Sequence, residues 1–227
     1  MKKYIMLGVS AILFLGCEGI SVSGLGSSGK SCHGAKVKID EGQDATANNN
    51  NARAGNSGTN TGGTTKHNIP AVSDSFKQAL IDAVNAVRAD TQDCGAKGIF
   101  EPAPPLKWSQ KLYKAAYEHT RDMALHAHVE HSGTGLASDW TAQDLNLNRA
   151  SKFYERVANA GYIFTKTAEN VAAGTNIDTA QDVVDAWMKS DGHCANLMDK
   201  DYEEFGVSLV EYNSKYRYYW TQLFGSR

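Results

Sequence analysis

The chain has 227 residues, with 23 Lys and Arg against 25 Asp and Glu, 41% hydrophobic residues and four cysteines. That is enough for one mid-sized domain plus extensions, and a formal charge of -2 excludes bulk electrostatic attraction to nucleic acid. All four Trp fall between 108 and 220 and no aromatic residue stands between Phe14 and Phe76, so the aromatic material of a core is confined to the C-terminal two-thirds.

Met1-Lys2-Lys3 followed by the apolar run Tyr4 to Leu15 reads as a signal peptide, since it is well short of the roughly 20 apolar residues a membrane-spanning helix needs. Phe14-Leu15-Gly16-Cys17 closes the run with a small residue before a cysteine, the arrangement of a bacterial lipoprotein in which Cys17 becomes the lipidated first residue. A Leu usually stands where Phe14 is, so plain secretion is the alternative. Residues 18–72 are poor in large apolar side chains, and Asp44 to Asn68 is dominated by Asn, Gly, Thr and Ser. Such a chain buries too little surface to offset its ordering entropy and is expected to act as a flexible tether. Within it, Gly24 to Ser31 matches the phosphate-loop pattern GxxxxGK[ST]. That motif works only between a buried strand and a helix N-terminus, neither of which the pattern predicts here, so nucleotide is not an expected ligand.

Order is expected from Ser73. Phe76, Leu80, Val84 and Val87 recur at helical spacing behind the capping candidates Ser73, Asp74 and Ser75, which predicts a helix to about Gln92. Pro102, Pro104 and Pro105 force an extended connection. A second helix is predicted from Ser109 to about His126, with Leu112, Ala116, His119 and Met123 on one face, and a third from Ala150 to Ala160. A fourth begins at Thr179, with Asp182 three residues on, and ends at Ser190-Asp191-Gly192. Ile163 to Ala173 is a candidate strand, and Phe205–Tyr212 with Tyr216–Phe224 reads as a hairpin across Asn213-Ser214. Helices interspersed with few strands and a terminal hairpin favour an α+β fold, a three-layer α/β/α sandwich about a small mixed or antiparallel sheet in one domain, 73–227.

Five of the seven histidines fall in that domain. His119 lies on an apolar stripe and reads as a hydrogen-bonded packing residue, and His126 and His128 suit the polar end of a helix. His128-Val-Glu130-His131 matches neither HExxH nor HxxEH, and no GxSxG or CxxC occurs, so zincin, serine-hydrolase and zinc-ribbon readings lack support. Two loop-like segments are richer in polar groups than folding requires: Glu169-Asn170 inside an apolar run, and Ser190 to Met198 around His193. A buried Glu needs partners, so Glu169 is expected to face a polar cavity or to tie down backbone amides.

The runs Ala168-Glu-Asn-Val-Ala-Ala-Gly174, Val183-Val-Asp-Ala-Trp187-Met188, Ser190-Asp-Gly-His193, Phe205-Gly-Val207 and Tyr219 to Gly225 resemble the bacterial branch of the CAP superfamily, named for cysteine-rich secretory proteins, antigen 5 and pathogenesis-related 1. Asn85 to Arg88, Pro105 to Trp108 and His131 agree, so the likeness spans about 73 to 227. It implies an α/β/α sandwich with a cleft that two histidines and two glutamates line. The histidines map to His131 and His193 and the first glutamate to Glu169; the second glutamate's place holds Ser190. Asn170 and Ser190 are expected to line the cleft. Two imidazoles with water make a weak, open site, so a bound Zn2+ or other divalent ion is expected to exchange.

If Cys17 is acylated and the compartment is oxidising, Cys94 and Cys194 are expected to pair, leaving Cys32 free or intermolecular. The expected function is an exported, envelope-anchored or secreted CAP module whose cleft takes a small apolar molecule or an envelope or extracellular partner, touching the membrane only through its N-terminal lipid. The alternatives are a metal-assisted, peptidase-like hydrolase, with His131 and His193 on the metal and Glu169 as general base, and a structural envelope protein.

Overall fold

The computed structural model describes residues 37–38 and 67–227. The leader, Cys17, the Gly24–Ser31 run, Cys32 and most of the 18–72 segment lie outside the described residues. Val37–Lys38 forms a short strand, β1.

Helix α1 (Asp74–Arg88) starts as the sequence predicts, with Ser73 Oγ accepting the Phe76 amide at 3.2 Å. It stops at Arg88, short of Gln92, because the chain is captured there. Arg88 is fully buried and donates to the carbonyls of Pro104 at 2.8 Å, Leu197 and Asp199. Burial pushes its guanidinium down to about 10, against the pull of Asp199, so it stays charged at neutral pH. Asn85 takes the Leu106 amide at 2.8 Å and donates to the Leu106 carbonyl at 3.1 Å. The proline-rich stretch before Leu106 cannot build its own ladder, so side chains of α1 satisfy it.

Next come β2 (Gln92–Asp93) and β3 (Ile99–Phe100), paired about a 3-10 turn at Gly95–Lys97, then β4 (Lys107–Trp108) and α2 (Gln110–His126). Helix α2 closes on Ala127 in the left-handed region, φ 48°. The remainder is α3 (Trp140–Asp144), α4 (Phe153–Asn159), β5 (Lys166–Gly174), α5 (Ala180–Met188), α6 (Asp191–Met198), β6 (Glu204–Glu211) and β7 (Tyr218–Ser226). At α5 the Thr179–Asp182 capping box forms as predicted. Three expectations are corrected. The segment around His193, expected as a loop, is helical over Asp191–Met198; the third helix starts at Phe153, where Glu155 caps the Lys152 amide at 2.8 Å; and the strand predicted from Ile163 starts at Lys166. Helix α3 was not predicted.

Strands β6 and β7 form the predicted hairpin, β5 adds antiparallel to β7 at the sheet's edge, and β4 and β1 both run parallel to β6. Alternation along the strands sorts the core into two layers. Val171, Ala173, Val210, Tyr219 and Leu223 face α2, whereas Ala172, Val207, Leu209, Trp220 and Phe224 face α1 and α5. Burial on both faces explains why these strands read as nearly continuous apolar runs. The architecture is the α+β three-layer sandwich with a small mixed sheet. The expected Cys94–Cys194 bridge is present, with Cα atoms 5.4 Å apart across 100 residues of sequence. Closing a loop of that size is worth about 4–5 kcal/mol in the chain-entropy account.

Helix α2 lies so close to β6 that a Cβ at Gly206 would run into the backbone of Leu112 and Tyr113. Gly206→Ala must push helix and sheet apart, and urea denaturation of the full chain is expected to show a loss of about 1–3 kcal/mol. An unchanged midpoint would mean that the two layers are not in backbone contact.

Candidate functional site

Glu169 sits on the edge strand β5 with its side chain toward the α2 layer, where it is 1% exposed. Arg156 of α4, equally buried, reaches its Oε2 at 2.8 Å and also donates to the His131 carbonyl at 2.9 Å and to Ser151 Oγ at 3.0 Å. His131 Nδ1 meets Glu169 Oε1 at 3.0 Å. His119 Nε2 lies 3.9 Å from the same oxygen and donates to the Glu130 carbonyl at 2.7 Å. Burial alone would raise the Glu169 carboxyl, but Arg156, His119 and His131 override it and hold the pKa at about 2. An ionised carboxylate only accepts, so His131 carries its proton on Nδ1 and turns Nε2 away from Glu169. Its side chain is 39% exposed, the accessible tip of an otherwise enclosed cluster.

The loop that delivers His131 has no regular structure of its own, and buried carboxylates from its surroundings shape it. Asp122 of α2 accepts the Thr134 amide and hydroxyl at 2.8 and 2.7 Å. Asp139 accepts the amides of Gly135 and Ser151, both at 2.9 Å, and that of Ala142 at 3.2 Å, the last capping α3. Burial pushes Asp139 up, yet the Ser151 and other amide bonds win and its pKa is lowered.

Asn170, the next residue on β5, points to the other face. Its Nδ2 donates to Gln222 Oε1 at 3.1 Å and to the His193 carbonyl at 3.2 Å, and its Oδ1 accepts from Asn196 at 2.9 Å. These bonds pin α6 to the strand. His193 is buried in the first turn of α6, next to the disulfide, and Ser190 holds the N-cap position without a side-chain capping bond. The structure therefore brings His131 and Glu169 into direct contact on one face of β5, while Asn170 points to the other and bonds to α6, which carries His193 in its first turn behind the N-cap Ser190. Glu169 is enclosed by protein groups, with Arg156 on one oxygen and His131 on the other. A cleft of about 680 Å³ lies elsewhere, between Pro104, Lys107, Lys200 and Arg227.

Sequence reasoning passed over Arg156, whose only signal was a cation flanked by the apolar Phe153 and Val157 of a helix. His119 does pack, as expected, but against Glu169 as well. Among the described residues, no three or more His, Cys, Asp and Glu side chains are grouped to hold a metal ion. Catalytic zinc takes three protein ligands and structural zinc four. With both Glu169 oxygens engaged, the residues present do not fit a resident zinc.

The family model described as the cysteine-rich secretory protein family, CAP, matches residues 81–224. The chain belongs to the CAP family. Among its relatives, the uncharacterized protein YkwD of Bacillus subtilis (strain 168) is 26% identical over 160 residues, which is 70% of this chain and 51% of YkwD. The CAP chain thus spans about half the length of that relative. Solved structures similar to it include an extracellular SCP-domain protein of Bacillus anthracis str. Ames, with TM-score 0.47, 20% identity and coverage of 70% of this chain and 45% of that one. Another is an outer surface protein of Borrelia burgdorferi, with TM-score 0.48, 18% identity and coverage of 68% and 94%.

Beneath the site, two adjacent residues of α2 titrate in opposite senses. Burial, helped by Arg156, lowers His119 from its ordinary 6.5 to about 4, so the unfolded chain takes up that proton first and stability is lost as pH falls from 6.5 towards 4. Burial raises Glu118 from 4.5 to about 7 despite its bonds from Thr141 and the charge of Arg156. Its contribution is complete below 4.5 and is lost as pH rises through 7. The two oppose each other between 4.5 and 6.5. Glu118→Gln leaves His119 uncompensated, so its urea midpoint relative to wild type is expected to fall as pH drops from 6.5 to 4.5. A constant offset between the two curves would contradict these assignments.

Proposed function

We propose that this CAP chain is an exported recognition module, carried on the cell envelope by lipid on Cys17 and a tether, which binds and does not turn over substrate. The observation that carries this reading is the state of Glu169: buried, ionised with a pKa of about 2, and engaged by Arg156 and His131. A general base works best with a pKa near the operating pH and a lone pair aimed at the proton it takes. Glu169 has neither, and its role is to orient His131. The ligand is a small apolar molecule or an envelope or extracellular protein that meets the surface around His131. A divalent ion at His131 and His193 is an exchangeable modulator. Export is supported by the leader-like N-terminus, by the disulfide, and by the secretory character that the family's description carries. No helix among the described residues is long and apolar enough to cross a membrane.

The test is zinc calorimetry near neutral pH on the full chain, paired with a casein hydrolysis assay with and without zinc. The expected result is weak zinc binding that disappears in the His131→Ala, His193→Ala double variant, with no hydrolysis by any form. Zinc-dependent hydrolysis that Glu169→Gln abolishes would replace this reading with the hydrolase.

A further inference from the structure

Trp140 and Asp144 open and close α3, four residues apart, and so share one face of the helix. The corner they form is rigid. The Arg121 guanidinium lies 4.7 Å from the indole centroid and the Tyr117 ring 6.2 Å away. Asp139 caps the helix start through the Ala142 amide, and Asn159 Nδ2 donates to Asp144 Oδ2 at 3.4 Å.

The residue that fills this corner belongs to no helix or strand. His67 stacks on Trp140 with ring centroids 4.3 Å apart and planes 2° from parallel, and its Nε2 lies 3.0 Å from Asp144 Oδ2. An aromatic face beside a carboxylate is a receptor for a flat ring or fork that carries N–H donors on its edge. Imidazole satisfies both demands, and guanidinium has the same shape and the same donors.

The way His67 is held separates this contact from ordinary packing. It lies seven residues ahead of α1 in irregular chain, and its side chain is 23% exposed. The next anchor of the segment, the Tyr113 hydroxyl on the Pro70 carbonyl at 2.9 Å, is made without it, as is the packing of Ile69 and Val72 on the α2 layer. The ring can therefore swing out by local opening while the domain stays folded, and the slot it vacates is built by α2, α3 and α4.

We infer that the Trp140–Asp144 slot is a binding site for a planar nitrogen donor, an imidazole or guanidinium side chain of a partner protein, and that His67 is its intramolecular plug. The site is separate from His131 and Glu169 and does not depend on what they bind. A tethered ring competes with an effective concentration that is millimolar or higher, so the plug excludes weak ligands and yields to a partner that brings further contacts.

The probe is free imidazole, titrated into the full chain at constant pH and followed by the indole N–H resonance of Trp140 and by Tm. In wild type, the His67 ring protons are expected to show the upfield shift of a ring stacked on Trp140, with no response of the indole to low-millimolar imidazole. His67→Ala is expected to bind imidazole saturably, at least about tenfold more tightly than wild type, and its Tm is expected to rise with imidazole. His67→Ala/Asp144→Asn is expected to lose that response. Equal responses in wild type and His67→Ala, no saturable response in His67→Ala, or an undiminished response in the double variant overturns the inference. An unshifted His67 ring in wild type overturns it without any variant.

Discussion

Glu169 and Arg156 are each about as enclosed as a side chain can be, and neither charge is tolerable there alone. Taking one carboxylate out of water costs several kcal/mol, which the attraction of a guanidinium at 2.8 Å offsets only when the remaining polar atoms also find partners. Here they largely do. Arg156 directs further N–H groups to the His131 carbonyl and to Ser151, and Glu169 gives its other oxygen to His131 Nδ1. Strand β5, helix α4 and the loop before α3 are held in one arrangement by a single pair. Removing either partner would leave an unpaired buried charge, a loss of about 3–5 kcal/mol by the usual measure.

Polar side chains hold irregular backbone elsewhere in the chain too. Arg88 and Asn85 gather the proline-rich segment onto α1, Asp122 and Asp139 shape the His131 loop, and Asn170 with Asn196 moors α6 to the edge strand. The sandwich layers are ordinary hydrophobic packing. What differs from a generic sandwich is concentrated where the chain leaves regular structure, and there hydrogen bonds to buried groups set the geometry. His131 becomes a displayed group through this support, since its own loop has no ladder to fix it. The Cys94–Cys194 bridge serves the neighbouring segment similarly, tying β2 and the 3-10 turn to α6 beside His193.

The helical stripes of α1, α2 and α5, the Thr179–Asp182 capping box and the β6–β7 hairpin were legible because each is a local pattern whose period survives in the sequence. Helix α6 was not, because Asp191-Gly192-His193-Cys194 carries a glycine and no apolar stripe; the packing of Cys194 and Met198 against Cys94 makes it helical. At five residues, α3 is too short to show a period. Motif order pointed to His131, Glu169 and His193 together, but nothing local says that Glu169 has a guanidinium for company. Arg156 stands 13 residues away in another element, and the pair exists only once α4 has folded onto β5.

The account rests on Glu169 being an ionised anchor and not a titrating base. The direct measurement is the pH dependence of the Glu169 side-chain carboxyl 13C shift in the full-length chain. The account predicts that this carboxyl stays ionised at every pH down to about 3, with an apparent pKa near 2. A midpoint between about 5 and 7 would give Glu169 the pKa of a working base and contradict the account.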